Sequence, residues 1–225
     1  MTGRAEAIEF RMNDMLQFRV SIAEIEPKIW RQLVLDPRLT LEQLHTVLQV
    51  AFNWQNCHMH QFHEKDGRRY ALPTPFDHDF SEGVTDERKV CLADVFDDEG
   101  KRLAYEYDFG DSWIHVVAFE GRVGPDRINY PSDTFIKAGK SVFSGKERAA
   151  MCIAGARNGP PEDCGGVFGL DDMLKLRRKA KKSLTRDERE LLDWLGEWDP
   201  EWLDLSSINQ NLGRVRVKKA FANRG

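Results

Sequence analysis

The chain has 225 residues, of which 41% are hydrophobic and 31% are charged, a mixture typical of folded globular proteins and not of disordered chains. Lys and Arg number 33 against 37 Asp and Glu, so the formal net charge of −4 excludes a wholly basic nucleic-acid coat but not a local basic patch. No apolar run approaches the roughly 18 residues that a membrane span needs.

The first third of the chain contains two predicted strands and one predicted helix. Apolar and polar side chains alternate over residues 15–25, which predicts a half-buried strand. Residues 29–35 form a second predicted strand, antiparallel to the first because the connection is short. Thr40 and Gln43 match a capping box, and an apolar stripe at helical spacing follows, so a helix is predicted after Thr40.

The middle third contains predicted strands and a long predicted loop. Asp66-Gly67 suits a hairpin turn, and Gly110 is expected to supply the positive φ of a type II′ turn in a second hairpin. Residues 73–89 carry two prolines and many charges, which predicts a long exposed loop, and residues 121–150 show no clear periodicity. The strands of this region are predicted over residues 58–63, 68–72, 103–109 and 113–119.

The last third is predicted to be helical. Thr185 and Glu188 match a second capping box, and Asp199-Pro200 is expected to begin a further helical turn. Strands first and helices last predict an α+β fold: a mixed, mainly antiparallel sheet with one early helix packed on it and a helical C-terminal layer. The helices are predicted over residues 170–180, 185–195 and 207–212.

The predicted organisation is a flexible N-terminus over residues 1–13, a single α+β domain over 14–212 and a basic tail over 213–225. The four cysteines form no CxxC pair, and the N-terminus has no apolar stretch that could serve as a signal peptide. Free thiols and a cytoplasmic location are therefore expected. No contact with a membrane is expected, and the sequence leaves the oligomeric state open.

The segment CHMHQFH over residues 57–63 is the first candidate site. On a strand, His58 and His60 would project from the same face, and two imidazoles at that spacing can chelate a metal such as zinc. No third ligand stands nearby at a diagnostic spacing. The alternative is a pair of hydrogen-bonded histidines beside the core. No cofactor is predicted, but a divalent metal is possible.

Two acidic segments, YEYDFGDSWIH and the rigid loop GPPEDCGG, form the second candidate site. Paired carboxylates could hold a cation or act as acid and base, and a histidine could shuttle a proton. The two segments are predicted to meet, within about 10 Å on the scale of sheet packing. Alternatively, the carboxylates satisfy turn amides and the remaining groups are structural. The candidate residues are Glu106, Asp108, Asp111, His115, Glu162, Asp163 and Cys164.

A third candidate surface is basic and could contact phosphate backbones. Cations are favoured at the C-terminus of a helix by its dipole, and a charged tail is usually solvated, so a structural explanation stands beside this one. No helix-turn-helix, zinc-finger or RNA-recognition signature accompanies the basic residues. They are Lys179, Lys181, Lys182, Arg214, Arg216, Lys218 and Lys219.

The chain resembles the plasmid pRiA4b ORF-three-like family over about residues 15–212. The resemblance is carried by IEPKIWRQLVLDPRLTLEQLHTVLQVAFNWQNCHMHQF, LAYEYDFGDSWIHVVAFEG, CIAGARNGPPEDCGGVFGLDDML and WLGEWDPEWLDLSSINQNL, in this order. It implies a mixed α/β domain built on a sheet and an association with plasmids and mobile elements. Family members often carry a cysteine where this chain has Gly159, so a thiolate-rich metal site carried over from the family would lack one ligand here.

These features favour a soluble binding or accessory module of the mobile-element-associated type, whose partner is an unknown protein or nucleic acid. The alternative is a metal-dependent hydrolase or nuclease with an acidic and histidine-containing site. That site would use His58, His60, Asp111, Glu162 and Asp163. The sequence therefore leaves open whether the protein is an enzyme.

Overall fold

The computed structural model describes residues 15–73, 83–124 and 148–221. Within these ranges the chain forms eight strands and five helices. None of the described helices is long and apolar enough to cross a membrane. The strands are β1 (Met15–Ile22), β2 (Trp30–Leu35), β3 (His60–His63), β4 (Arg69–Ala71), β5 (Val84–Asp86), β6 (Arg102–Tyr107), β7 (Trp113–Val123) and β8 (Ala150–Ala156). The helices are α1 (Leu41–Phe52), α2 (Leu92–Val95), α3 (Gly166–Arg177), α4 (Arg186–Leu195) and α5 (Leu205–Leu212).

All eight strands belong to one sheet, in the order β5-β4-β3-β6-β7-β1-β2-β8. Neighbouring strands are antiparallel except β4 and β5, which are parallel. Strands that follow one another closely in the chain pair as hairpins, as short connections require. The mixed, mainly antiparallel sheet and the helices that follow it confirm the predicted α+β class.

Helix α1 packs against the sheet and builds the main hydrophobic core with it. The capping box is present: Thr40 Oγ1 accepts from the Gln43 backbone N–H, and the Gln43 side chain accepts from the Thr40 N–H at 3.1 Å. At the other end of α1, the Phe52 ring packs edge-on against His115 of β7, with ring centroids 4.8 Å apart. The inward-facing residues of β1 are fully buried, as its alternation predicts: Leu16, Phe18, Val20 and Ile22.

The turn between β6 and β7 differs from the predicted type II′ turn. Positive φ angles occur at Asp108 (57°) and Ser112 (51°), and not at Gly110. The Asp108 carboxylate accepts from the Gly110 N–H at 2.9 Å, and the Ser112 N–H donates to the Asp108 carbonyl. Aspartate adopts the left-handed conformation more readily than most residues because its short side chain bonds the local backbone. The strand therefore ends at Tyr107, and Glu106 and Asp108 do not share a strand face.

The sequence patterns do not predict two of the strands, β8 and β5. Strand β8 begins where the region without clear periodicity, residues 121–150, ends, and its first four residues are all buried, so no alternation marks it. Strand β5 and the 3₁₀ turn Glu87–Lys89 occupy the end of the predicted loop over residues 73–89, whose residues 74–82 lie outside the described ranges. Parallel pairing with β4 holds β5 in the sheet although it has only three residues.

The helical turn predicted at Asp199-Pro200 is wrong. The Asp199 carboxylate accepts from the Glu201 N–H at 3.0 Å, which closes a turn instead of opening a helix. Helix α5 begins at Leu205, where the Asp204 side chain caps it by accepting from the Ser207 N–H. The three helices predicted in the last third are present and begin one to four residues from their predicted starts, and the Thr185–Glu188 capping box is confirmed.

The segment after α5 contacts α1 instead of standing apart as a tail. Val215 is buried in the core, and the Gln43 side chain donates to the Arg216 carbonyl at 2.5 Å. Lys218 pairs with Glu42. The predicted flexible N-terminus and residues 222–225 lie outside the described ranges.

Ending the chain at Leu212 is expected to lower the free energy of unfolding by about 2 kcal/mol, because it removes Val215 from the core and the acceptor that Gln43 uses. Urea denaturation followed by circular dichroism measures the change. A chain that ends at Phe221 is the control and should unfold at the midpoint of the full chain. Equal midpoints for both truncations would show that residues 213–221 form a separable tail.

Candidate functional site

One imidazole lies among three carboxylates at the end of the sheet where β3 begins and β6 ends. His58 Nε2 is 3.0 Å from Asp163 Oδ1, 3.7 Å from Asp108 Oδ2 and 3.8 Å from Glu162 Oε2. Asp108 and Glu162 are buried, His58 is half-buried and Asp163 is exposed. The cluster is therefore partly open to solvent, on the side of Asp163. The carboxylates of Asp108 and Glu162 are shielded from water.

Backbone contacts bring these residues together from distant parts of the chain. The Asp108 N–H donates to the Met59 carbonyl at 2.9 Å, which places the end of β6 beside the residues before β3. The Asp111 carboxylate accepts from the Gly165 N–H at 3.1 Å and so fixes the loop before α3. A Cβ on Gly166, whose φ is +66°, would lie 2.5 Å from the Asp111 carbonyl, so this approach requires glycine. The predicted meeting of the two acidic segments is confirmed.

Two atoms at the centre of the cluster have no hydrogen-bond partner among the described residues: His58 Nε2 and Glu162 Oε2. Asp163 lies within ion-pair distance of His58, but its carboxylate does not lie in the direction of the ring N–H and forms no hydrogen bond with it. The other Glu162 oxygen is held firmly, because it accepts from the Gln55 N–H at 2.6 Å and the Tyr107 hydroxyl at 3.1 Å. Buried polar atoms without partners are rare and mark a place for an ion or water.

Cys57 adds a sulfur to the possible ligand set. The ligand atoms of Cys57, His58 and Glu162 lie within 4.8 Å of one another, as do those of His58, Asp108 and Asp163. The two groups share His58. Nitrogen, sulfur and carboxylate oxygen together suit zinc and similar divalent ions. The sequence patterns missed Cys57 as a ligand because a strand over residues 58–63 would have turned it away from His58.

His60 does not belong to this cluster. Strand β3 begins at His60, so His58 lies outside the strand and the predicted shared face of the two histidines is wrong. The His60 Nε2–H donates to both oxygens of the fully buried Glu87, at 3.0 and 3.1 Å. On its other side the His60 ring stacks on His45 at 3.5 Å between centroids. The two predicted metal ligands thus contact different carboxylates.

The remaining residues of the predicted acidic site are placed elsewhere. Glu106 accepts from Gln61 and lies 3.3 Å from His63 on the adjacent strand. His115 is buried in the core, and burial lowers the pKa of its imidazole to about 4. Burial raises the pKa of the Cys164 thiol to about 12, and the nearby Asp111 adds to this rise, so the thiol stays protonated. Asp111 positions the loop and does not enter the cluster.

A cavity of about 440 Å³ adjoins the cluster through His58. Its rim carries three exposed apolar side chains, Met59, Leu72 and Phe109. No sequence pattern indicates this cavity, because its walls come from separate elements, among them α1, β3, β4 and β5. The other described residues that line it are Glu42, His45, Thr46, Asn56, His60, Gln61, Ala71, Pro73 and Val84.

The basic residues predicted to bind nucleic acid are divided between internal contacts and exposed positions. Lys179 pairs with Glu188 at 2.5 Å, Lys218 pairs with Glu42, and the Arg216 guanidinium donates to backbone carbonyls of its own segment. Lys179 and Arg216 are nevertheless exposed, as are Lys181, Lys182, Arg214 and Lys219. A nucleic-acid contact stays a prediction.

Known proteins are similar to this chain over most of its length. The profile of the family described as "Plasmid pRiA4b ORF-3-like protein" matches residues 14–207. "Uncharacterized protein y4hQ" of Sinorhizobium fredii is 28% identical over 209 residues, which cover 92% of this chain and 94% of that protein. The "Crystal Structure of Protein of Unknown Function MM3350 from Methanosarcina mazei Go1" superposes with a TM-score of 0.66 and 26% identity, covering 86% of this chain and 97% of that one. The resemblance seen in the sequence is thereby confirmed, and the chain belongs to the pRiA4b ORF-3-like family.

Proposed function

We propose that this protein is a metal-dependent hydrolase whose divalent ion is held by His58, Asp108, Glu162 and Asp163. The observation that carries the proposal is the pair of partnerless atoms, His58 Nε2 and Glu162 Oε2, which lie 3.8 Å apart. A structural ion pair would direct the ring N–H at one of the carboxylates. An ion that both atoms coordinate accounts for their orientation and for the absence of hydrogen bonds between them.

Charge supports the same proposal. Three carboxylates surround one imidazole, so the cluster stays negative even when His58 is protonated. Two of the carboxylates are buried, and buried charge of one sign is costly unless a counter-charge accompanies it. A divalent cation supplies that counter-charge. The Tyr107 hydroxyl and the Gln55 N–H, which hold Glu162, would orient this ligand from outside the coordination shell.

His58 also lines the cavity, which would be the route by which a substrate reaches the proposed ion. A bound divalent ion lowers the pKa of a coordinated water and polarises a carbonyl or phosphoryl oxygen. Hydrolysis breaks the bond between the acyl or phosphoryl centre and its leaving group. The water oxygen bonds to that centre, and the water protons leave with the two products, so no other reactant is needed.

Metal analysis of the purified full chain, loaded with zinc or manganese and freed of excess, tests the proposal. We expect one ion per chain, and a loss of affinity of at least about 10- to 100-fold in His58→Ala and in Glu162→Gln. His63→Ala is the matched control, because the His63 imidazole is of similar exposure and its ring pairs with Glu106, outside the cluster. A wild-type chain that binds no ion, or an equal loss in the control, would refute the metal site.

A binding module without turnover is the second candidate function. The exposed apolar rim of Met59, Leu72 and Phe109 favours it, because such groups commonly contact a ligand or a partner. Assays of ester hydrolysis by the metal-loaded chain distinguish the two candidates. Turnover that disappears in His58→Ala supports the hydrolase, whereas tight ligand binding without turnover supports the module.

A further inference from the structure

The charge of the cavity walls restricts what the proposed site can bind. Among the described residues, no Lys or Arg lines the cavity. Its one acidic wall residue, Glu42, is paired with Lys218. His58, which lines one end of the cavity, lies within 3.0–3.8 Å of the three carboxylates of the cluster. The described walls are thus neutral to acidic, whereas phosphate sites supply Arg, Lys or free amides.

The polar groups of the walls are largely used within the protein. The His45 Nε2–H donates to Asn56 Oδ1 at 2.7 Å, and Nδ1 lies 2.8 Å from the Tyr105 hydroxyl. The Thr46 hydroxyl donates to the Glu42 carbonyl at 3.2 Å. A ligand therefore finds few unsatisfied donors on this wall. The contacts between a ligand and this wall would therefore be mainly apolar.

Apolar side chains form the opposite wall and the rim. Ala71 and Val84 come from the paired strands β4 and β5, and Leu72, Met59 and Phe109 border the opening. A volume of about 440 Å³ lies within the roughly 300–1,000 Å³ range of small-molecule sites. The cavity can thus take an apolar chain or ring whose reactive group lies beside His58.

Resting on the proposed function, we infer that the substrate is an uncharged carboxylic ester or amide with an apolar acyl group, and not a phosphodiester. The acyl carbonyl would lie at the His58 end, and the apolar group would lie against β4 and β5. Cleavage of the acyl C–O or C–N bond leaves a carboxylic acid and an alcohol or amine. A phosphodiester would bring a negative charge to walls that, in the described residues, have no unpaired cation to receive it.

Binding of alkyl hydroxamic acids to the zinc-loaded full chain tests the ligand class. A hydroxamate binds the metal with its head, so the acetyl, butyryl and hexanoyl members differ only in apolar length. Affinity should rise by up to about fourfold for each added methylene. Affinity that is independent of chain length would overturn the inference. A length dependence without any turnover supports this ligand class for a binding module.

Hydrolysis and a cavity-filling variant provide the second measurement. p-Nitrophenyl hexanoate should be cleaved with a higher kcat/KM than bis(p-nitrophenyl) phosphate. Thr46→Trp places a ring in the cavity from an exposed position of α1 and should lower kcat/KM for the hexanoate about tenfold. Ser206→Trp, at an exposed position of α5 that does not line the cavity, is the control.

The outcomes separate the two proposals. Metal content that is intact in all variants, with phosphodiester cleaved in preference to ester, overturns the substrate class and leaves the metal-dependent hydrolase standing. A chain that binds no metal overturns both. Ester cleavage that Thr46→Trp reduces and Ser206→Trp does not supports both.

Discussion

Replacing Glu87 with Ala is expected to lower the free energy of unfolding by about 3–5 kcal/mol. The Glu87 carboxylate has no exposed surface, and both its oxygens accept from His60 Nε2. Alanine would leave the buried imidazole without its acceptor and leave an empty volume in the core. Because the His60 ring stacks on His45, the loss would also loosen α1 against β3. Urea denaturation at neutral pH measures the effect.

Two further variants show whether the loss comes from this buried contact. Glu87→Gln keeps the volume and one acceptor oxygen, so a smaller loss of about 1–2 kcal/mol is expected. Lys89→Ala changes an exposed residue of the same 3₁₀ turn and should cost less than about 0.5 kcal/mol. If Glu87→Ala behaved like Lys89→Ala, the buried pair would contribute nothing to stability.

Local signals account for the elements that the sequence predicted well. The capping box at Thr40 and the alternation in β1 depend on residues within a few positions of one another, and the structure confirms both. Strand β8 has no such signal, because its position follows from pairing with β2, more than 100 residues away in the chain. Among the described strands, β5 pairs with β4 alone, and its three residues are too few for a periodic pattern.

The candidate site likewise contains one feature that the sequence predicts and others that it does not. The approach of the two acidic segments could be predicted, because constrained polar turns commonly lie beside one another at a sheet edge. The partners within the site could not be predicted, since the left-handed φ of Asp108 ends β6 at Tyr107, two residues before the predicted end, and directs the Asp108 carboxylate towards His58. Glu87, the partner of His60, lies in a segment that the sequence predicts to be an exposed loop. No local pattern marks Glu87 as buried.

Gly159 illustrates a constraint that only the packing reveals. A Cβ at this position would collide with the carbonyl oxygen of Phe52, at the end of α1. The backbone before the Pro-Pro-Glu-Asp segment therefore approaches α1 too closely for any side chain. A cysteine at this position would require the loop or the helix end to shift. The ligand set proposed here accordingly uses His58 and carboxylates, and not a thiolate from residue 159.

Stability is expected to fall steeply between about pH 6 and pH 4.5, because two buried histidines resist protonation in the folded state. Burial lowers the pKa of His45 to about 3, with a further effect of the adjacent His60. Burial lowers the pKa of His115 to about 4, and the charge of Arg31 adds to the change. In the unfolded chain both would titrate near about 6.5. Their contribution to stability is complete above this value and is lost as the pH falls towards the folded pKa values.

The slope of stability against pH measures this effect. Each of the two groups contributes about 1.4 kcal/mol per pH unit between its unfolded and folded pKa, so His45 and His115 together give about 2.7 kcal/mol per unit. His115→Gln should remove half of that slope, although it also lowers stability at pH 7 by disturbing a buried site. Asp86, whose pKa its hydrogen bond to Arg88 lowers to about 2, loses its contribution only below about pH 4 and does not interfere. Urea denaturation at half-unit steps from pH 7 to pH 4.5 gives both slopes, and equal slopes in the two proteins would show that His115 is protonated in the folded chain.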